Sequence, residues 1–210
     1  MQNTLQQIQT GRVIAILRGC FDGRETEIAA ALFESGITAM EVTLNSPGAL
    51  AAIERIASAF GDRMAVGAGT VLTPDQVRQV VEKGARFVVS PNRDCSVIRA
   101  TKALGLVSVP GCFTPSEVVE AIDAGADAVK IFPAACLGPV FVKGLRGPLP
   151  EVRTVPTGGV TPEIARQYFD AGAWAVGVGS ELVGGDANES GWLDRVRVRA
   201  RAYAVRIAES

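Results

Sequence analysis

One short pattern recurs along this chain and limits the folds that it can adopt: a glycine followed at once by a run of apolar residues. It occurs in ESGITAMEVTL, EKGARFVVSP, DAGADAVKIFP and DAGAWAVGVGS, and ALGLVSVPG is a looser copy. Each copy is typical of a helix that ends at glycine and leads into a short buried strand. Helices and strands are therefore predicted to alternate along the whole chain.

Pairs of a hydroxyl residue and a proline indicate where several of these helices begin. The hydroxyl group would cap the helix, and proline is favoured at the first helical position. Gln76 and Glu117 stand where each would complete a capping box. We therefore expect helices to start at Ser46-Pro47, Thr73-Pro74, Thr114-Pro115 and Thr161-Pro162.

Eight strands are predicted from the apolar runs, and stretches with helical spacing of apolar residues lie between them. The predicted strands are Val13 to Leu17, Ala39 to Thr43, Ala65 to Thr70, Phe87 to Ser90, Val107 to Pro110, Ala128 to Phe132, Arg153 to Thr157 and Trp174 to Val178. Eight strand and helix units in 210 residues predict an α/β fold, a compact (β/α)8 TIM barrel that forms a single domain over residues 1–210, with a short N-terminal helix. A doubly wound open sheet is the alternative, and the lack of a GxGxxG motif after the first strand disfavours it.

Lys130 stands in the middle of the sixth predicted strand, in the segment DAVKIFP. Alternation along the strand places it on one face with Ala128 and Phe132, among apolar neighbours. Burial disfavours the charged form of an amine and lowers its pKa, and a neutral lysine is a nucleophile toward carbonyl carbon. The segment therefore indicates Schiff-base chemistry at Lys130. The structural alternative is a lysine whose ammonium group reaches water past the rim of the barrel.

Glu41 in the second strand is predicted to face the barrel interior in the same way. Layers of side chains inside such a barrel come from alternate strands, so the second and sixth strands can place Glu41 across from Lys130. A buried carboxylate and a buried amine are costly to keep for stability alone. We therefore predict that Glu41 is a base beside the nucleophile, with a structural ion pair as the alternative.

Other polar residues stand at strand ends, where the active site of a barrel enzyme lies. Arg18 follows the first strand and Thr70 ends the third, and both are suited to hold a substrate carboxylate. After the seventh and eighth strands come glycines whose backbone N–H groups could bind a phosphate. The alternative is that these glycines only make tight turns. The predicted phosphate-binding residues are Gly158, Gly159, Gly179 and Ser180.

Composition excludes several classes of function. A formal net charge of −1 argues against nucleic acid or an anionic membrane as a partner, which leaves a small molecule. The chain has no histidine, so catalysis by imidazole and zinc sites with histidine ligands are excluded. No run is long enough to span a membrane. The four cysteines have no metal-binding spacing, and we expect Cys20, Cys95, Cys112 and Cys136 to be reduced and mostly buried in a cytoplasmic protein.

The motifs together resemble those of the class I aldolases that cleave 2-keto-3-deoxy-6-phosphosugar acids. They occur in the order AILRG, EVTLNSP, VGAGTVLTP, VVSPN, VPGCFTPSE, VKIFP, PTGGVTPE and GVGS, and they cover nearly the whole chain. The resemblance implies a Schiff base at Lys130, acid and base catalysis by Glu41, phosphate binding by the two glycine loops, no metal or other cofactor, and a homotrimer. The substrate-binding residues that it implies are Arg18, Thr70, Pro91, Asn45 and Phe132, of which Pro91 rests on the resemblance alone.

Two branches of this family act on C4 epimers, derived from 6-phosphogalactonate and 6-phosphogluconate. The gluconate branch usually has arginine four positions after the glutamate, where this chain has Asn45. EVTLNSP and KIFPAACLGP are similar to the galactonate branch, and PTGGVTP is similar to the gluconate branch. The expected reaction is cleavage of 2-dehydro-3-deoxy-6-phosphogalactonate to pyruvate and D-glyceraldehyde 3-phosphate. The gluconate epimer, or both epimers, is the alternative.

Two other classes of function compete with this one. A metal-dependent barrel that forms enolates needs hard ligands clustered at strand ends, and the sequence offers too few. A non-catalytic barrel that binds sugar phosphates would keep the glycine loops but has no use for an enclosed lysine. The lysine therefore favours the aldolase.

Overall fold

The structure, a computed structural model, describes residues 1–19, 21, 23–185 and 187–208. Cys20 lies outside these residues, so its burial stays a prediction. Of the other cysteines, Cys112 is buried, Cys95 is partly buried and Cys136 is exposed, and all three are unpaired. The expectation of burial is therefore wrong for Cys136, which lies in the first turn of a helix with its side chain toward solvent.

Strands and helices alternate along most of the described chain, as the repeat predicts. The strands are β1 Val13–Leu17, β2 Ala39–Thr43, β3 Ala65–Gly69, β4 Phe87–Val89, β5 Val107–Val109, β6 Gly111–Cys112, β7 Val129–Ile131, β8 Thr154–Pro156 and β9 Val176–Val178. The helices are α1 Gln2–Gly11, α2 Glu25–Glu34, α3 Ala49–Phe60, α4 Pro74–Glu82, α5 Cys95–Ala103, α6 Pro115–Asp123, α7 Ala134–Leu145, α8 Pro162–Asp170, α9 Ser180–Val183 and α10 Trp192–Ala208. None of these helices is long and apolar enough to cross a lipid bilayer.

All eight predicted strands are present, six of them shortened by one or two residues. The sequence analysis missed the two-residue strand β6. Proline has no backbone N–H and interrupts a hydrogen-bonded ladder, so Pro110 separates β6 from β5. The described residues therefore contain nine strand segments where eight were predicted.

The strand pairs are all parallel and form two sheets. The larger sheet has the order β5-β4-β3-β2-β1-β9 and forms a half-barrel, and the smaller has the order β6-β7-β8. Within each sheet, strands that follow one another in the chain are neighbours, and β9 pairs with β1. The strand order does not reverse as it does in a doubly wound sheet. The predicted α/β fold with a parallel sheet is confirmed.

Backbone contacts outside these ladders join the two sheets on both sides. Lys130 N in β7 donates a hydrogen bond of 2.8 Å to Pro110 O, which follows β5. On the other side, Thr157 after β8 forms an isolated parallel bridge with Gly177 in β9. These are the two places at which a barrel has to close.

The inward-facing side chains of the strands form their own apolar cluster. Helix α1 adds Ile8 to this cluster and packs against β1, β2 and β3. The members of this cluster beside α1 include Ile14, Ala39 and Ala65, which stand at or near the first residues of their strands. The predicted N-terminal helix is therefore present, and it covers the end of the interior that lies opposite the strand carboxyl ends.

Three of the four predicted helix starts are confirmed. Thr73 and Thr114 each cap a helix within a complete capping box, and Thr161 caps α8. The prediction is wrong for Ser46, because α3 begins at Ala49 after a turn. The hydroxyl group of Ser46 makes other contacts, described below.

Replacing Gly67 with alanine should destabilise the protein by about 1–3 kcal/mol, the usual cost of overpacking a core. A Cβ atom at Gly67 in β3 would lie 2.6 Å from three ring atoms of the fully buried Phe87. Gly144→Ala is the matched control, since a Cβ at that position in α7 has no neighbour within 4 Å. Urea unfolding should give a lower midpoint for Gly67→Ala and an equal or higher one for Gly144→Ala. Equal midpoints for Gly67→Ala and the parent protein would contradict the tight packing.

Candidate active site

Lys130 lies in β7 with its side chain inside the parallel-stranded structure. Only 5% of its surface is exposed, and its Nζ atom lies 4.7 Å from the centroid of the Phe132 ring. The neighbours Val129 and Ile131 point the other way, into the cluster beneath α5, α6 and α7. The prediction that Lys130 is enclosed is confirmed. Its ammonium group does not extend past the rim into water, which was the structural alternative.

Glu41 lies in β2 and is 1% exposed. Its carboxylate packs directly against the backbone of Gly69 on the neighbouring strand, because a Cβ atom at Gly69 would lie 2.5 Å from Glu41 Oε1. The absence of a side chain at Gly69 is therefore what leaves room for the carboxylate.

A small cavity joins the two groups, as their predicted common layer requires. It has a volume of about 10 Å³ and is lined by Glu41, Lys130, Thr157 and apolar side chains. That volume is the least in which one water molecule fits. The amine and the carboxylate therefore face the same enclosed space, with at most one water between them.

Burial controls the charge of both groups. It lowers the pKa of Lys130, with a smaller opposing effect from the negative charge of Glu41 and a further lowering by Arg18. Burial also raises the pKa of Glu41, while the positive charges of Lys130 and Arg18 act in the opposite direction. Each group is thus shifted toward its neutral form, as expected for a nucleophilic amine beside a proton-transferring carboxyl group.

A larger cavity of about 400 Å³ opens above Lys130 at the carboxyl ends of the strands. It brings together seven of the predicted site residues: Arg18, Lys130, Phe132, Gly158, Gly159, Gly179 and Ser180. Glu41 reaches the same lysine through the smaller cavity. The amine of Lys130, the guanidinium group of Arg18 and the two glycine loops therefore line the same cavity.

Three predicted site residues line neither of these cavities. Asn45 is exposed in the turn after β2. Thr70 follows β3 with a left-handed backbone, at φ 56°. Pro91 follows β4, and its carbonyl group packs over Gly111. All three are at strand carboxyl ends, as predicted, and their roles stay predictions.

Thr157 is a site residue that the sequence analysis missed. It lines both cavities, and its Oγ1 atom donates a hydrogen bond of 3.1 Å to Val155 O. Its position could have been found from the sequence, because alternation along β8 places Thr157 on the same inward face as Val155.

Two glycines after β8 adopt backbone conformations that other residues rarely adopt. The φ angles of Gly158 and Gly159 are 98° and 70°. The loop is held from outside, since the buried hydroxyl group of Tyr203 donates a hydrogen bond of 2.6 Å to Val160 O. A fixed loop without side chains lets an anion approach its backbone closely.

Within the described residues, no group of three or more histidine, cysteine, aspartate or glutamate side chains is placed to hold a metal ion. The polar groups that line the larger cavity are a lysine, an arginine, hydroxyl groups, backbone amides and the carboxylate of Glu181. This set suits an anionic organic molecule with a carbonyl group.

A family model described as Aldolase: KDPG and KHG aldolase matches residues 5–198 of the chain. The chain is also 41% identical over 171 residues to a protein of Escherichia coli (strain K12) named 2-dehydro-3-deoxy-6-phosphogalactonate aldolase. That match covers 81% of this chain and 83% of the relative. The similarity therefore extends over the strands that carry the site.

Two solved structures are similar to this one. A structure named Native KDPGal structure has a TM-score of 0.88 and 38% identity, covering 94% of each chain. A KDPG aldolase from Legionella pneumophila, with pyruvate captured as a covalent carbinolamine intermediate, has a TM-score of 0.79 and 30% identity. The second match covers 96% of this chain and 97% of the other.

Replacing Glu41 with glutamine should lower the pKa of Lys130 further. The negative charge of Glu41 favours the protonated amine, so its removal leaves burial and the charge of Arg18, both of which lower this pKa. Competitive labelling with a small amine reagent over a pH series, read by mass spectrometry, gives the pH midpoint for the peptide that contains Lys130. We expect a lower midpoint in the variant.

Glu163→Gln is the matched control, because it removes an exposed carboxylate from α8. It should leave the midpoint for Lys130 unchanged. A midpoint that stays constant or rises in Glu41→Gln would show that the two buried groups do not interact.

Proposed function

The chain belongs to the KDPG and KHG aldolase family, and from this premise we propose that it cleaves 2-dehydro-3-deoxy-6-phosphogalactonate to pyruvate and D-glyceraldehyde 3-phosphate through a Schiff base. The observation that carries the proposal is the enclosed amine of Lys130, which shares a cavity with Glu41 and opens to a pocket lined by Arg18. A non-catalytic sugar-phosphate barrel has no need of such a pair.

Lys130 is the nucleophile in this mechanism. Its lowered pKa increases the neutral fraction near pH 7, and the neutral amine attacks the C2 ketone. Loss of water gives a protonated imine, which accepts the electron pair released when the C3–C4 bond breaks. The reaction needs no metal and no organic cofactor, because the imine is the electron acceptor.

Glu41 transfers the protons. It takes the proton of the C4 hydroxyl group, directly or through one water in the small cavity, and the C3–C4 bond breaks to leave an enamine. It then returns a proton to C3, and hydrolysis of the imine frees pyruvate. Proton transfer by a positioned group of this kind typically contributes about 10²–10⁴-fold to the rate.

The remaining residues orient the substrate. Arg18, which lines the cavity, binds the carboxylate, and the glycines and Ser180 bind the phosphate at the other end of the pocket. Phe132 forms the wall beside the imine, while Thr70, Pro91 and Asn45 lie at neighbouring strand carboxyl ends outside the lining of the cavity. Two anchored ends hold the C3–C4 bond against the imine plane, which lowers the entropic part of the barrier.

The gluconate epimer, or activity on both epimers, is the second candidate. The similarity to a KDPG aldolase of Legionella pneumophila favours it, as does the PTGGVTP motif. The gluconate branch usually has arginine at the position of Asn45 in the turn after β2, and this chain does not. We therefore place the galactonate epimer first.

We also propose one domain, a closed (β/α)8 barrel and a homotrimer in the cytoplasm. The hydrogen bond from Lys130 to Pro110 and the bridge between Thr157 and Gly177 support closure. Exposed apolar side chains support assembly, since an exposed apolar surface is often a contact between copies. They include Phe113, Val119 and Ile122 in and before α6, and Val140 of α7, which is 82% exposed.

Pyruvate and borohydride together should inactivate the enzyme and attach one pyruvate-derived group to each chain, at Lys130. Borohydride reduces a protonated imine to a stable secondary amine, whereas an unreacted amine is unchanged. Intact-mass and peptide mass spectrometry, with a pyruvate-release assay on the same sample, measure both outcomes.

Lys143→Ala is the control for this experiment, because Lys143 is an exposed lysine in the helix after β7. It should be trapped like the parent enzyme, and Lys130→Ala should not be trapped. An adduct that persists in Lys130→Ala, or its absence from a parent enzyme that turns over, would refute the Schiff base at Lys130.

Asn45→Arg should raise activity on the gluconate-derived epimer relative to the galactonate-derived epimer. The gluconate branch usually has arginine at this position, so the substitution makes the turn after β2 similar to that branch. Parallel measurements of kcat/KM for the two epimers give the ratio. Ser58→Arg adds the same charge on the exposed face of α3 and should not change it. A ratio unaffected by Asn45→Arg would separate this position from the choice of epimer.

A further inference from the structure

Two buried hydroxyl groups in β2 and the turn after it hold the backbone next to Arg18. The backbone N–H of Gly19 donates a hydrogen bond of 3.0 Å to Ser46 Oγ. Thr43 Oγ1 donates to Leu17 O at 3.4 Å, and the two hydroxyl oxygen atoms are 2.9 Å apart. The two hydroxyl groups thus reach one residue before and one residue after Arg18.

These contacts explain why Ser46 is not a helix cap. Helix α3 begins three residues later, so the Ser46 hydroxyl group is free to turn toward the loop after β1. Thr43 and Ser46 are both buried. Hydrogen bonds without competing water are costly to lose, because the remaining partner stays unsatisfied.

These bonds hold the backbone on both sides of Arg18, and they therefore fix the direction of its Cα–Cβ bond. The Leu17 carbonyl group and the Gly19 N–H group belong to the two peptide planes that flank the Arg18 Cα atom. When both planes are held, both backbone dihedral angles of Arg18 are held as well.

Arg18 depends on this support more than most residues of the site do. It is an exposed residue, and no described part of the chain forms a hydrogen bond with its guanidinium group. Its charge nevertheless acts on both Lys130 and Glu41. The backbone therefore has to aim the side chain into the cavity.

We propose that Thr43 and Ser46 are positioning residues, whose hydroxyl groups clamp the backbone of Arg18 so that its guanidinium group meets the carboxylate of the substrate. The proposal rests on the proposed function, in which Arg18 binds that carboxylate. The clamp also ties Arg18 to Asn45, which lies between the two hydroxyl residues in sequence.

A double-mutant cycle tests the clamp. Ser46→Ala should raise KM for the phosphorylated keto acid about tenfold, the size of one lost hydrogen bond, with little change in kcat. In an Arg18→Ala background, Ser46→Ala should have no further effect, because the group that it positions is gone. Ser46→Thr keeps the hydroxyl group and should restore most of the parent KM.

Ser35→Ala is the matched control, since it removes a buried serine hydroxyl group from the end of α2, where Ser35 donates 2.8 Å to Ala31 O. It should leave KM unchanged. Thr43→Val keeps the shape of the side chain and breaks the other half of the clamp, so it serves as a second variant if Ser46→Ala does not fold.

The result that overturns the proposal is an equal rise in KM with and without Arg18, for Ser46→Ala or for Thr43→Val. It would mean that the hydroxyl groups support the fold and not the arginine. A different result bears on the proposed function: Arg18→Ala alone with the parent KM would remove Arg18 from carboxylate binding.

Discussion

The rest of the structure depends on keeping water away from two ionisable groups, the amine of Lys130 and the carboxylate of Glu41. Burial moves the pKa of each toward the neutral form, and their mutual attraction offsets only part of that effect. The apolar inward faces of the strands and Ile8 from α1 keep the interior dry. Such a pair lowers stability and must be offset by the core around it. The pair lies where the apolar interior meets the pocket, so that Lys130 contacts both.

Glycines on neighbouring strands leave room for the polar side chains of the site. Gly69 leaves space for the Glu41 carboxylate, and Gly177 does the same for Thr157, since a Cβ atom there would lie 2.3 Å from Thr157 Oγ1. Glycine is unfavourable within a strand, because it has no side chain to pack. In this fold it is needed where a neighbouring strand sends a functional side chain across its backbone.

The sequence was sufficient to predict that Lys130 and Glu41 face the interior, because a strand has a side-chain period of two. The inward face follows once a single apolar neighbour is placed. The glycine repeat predicted the parallel strands because each copy indicates the end of a helix and the start of a buried strand. The turn after β2 could not be predicted in this way. Ser46-Pro47 is typical of a helix start, but the Ser46 hydroxyl group forms hydrogen bonds with Gly19 and Thr43 instead. Gly19 is distant from Ser46 in the sequence, and Thr43 lies just before the turn. Contacts between loops depend on tertiary geometry, which no local pattern contains.

Helix α1 has a consequence for the order of events in a catalytic cycle. Ile8 packs into the strand interior from below, so in the described part of the chain the pocket above Lys130 opens at the strand carboxyl ends. Both products of a cleavage would then share one exit. In the proposed mechanism, pyruvate stays covalently attached to Lys130 after the C3–C4 bond breaks, while the phosphorylated aldehyde is held only by reversible contacts. The aldehyde must therefore leave first, and in the reverse direction pyruvate must bind first, which makes the kinetic scheme an ordered one.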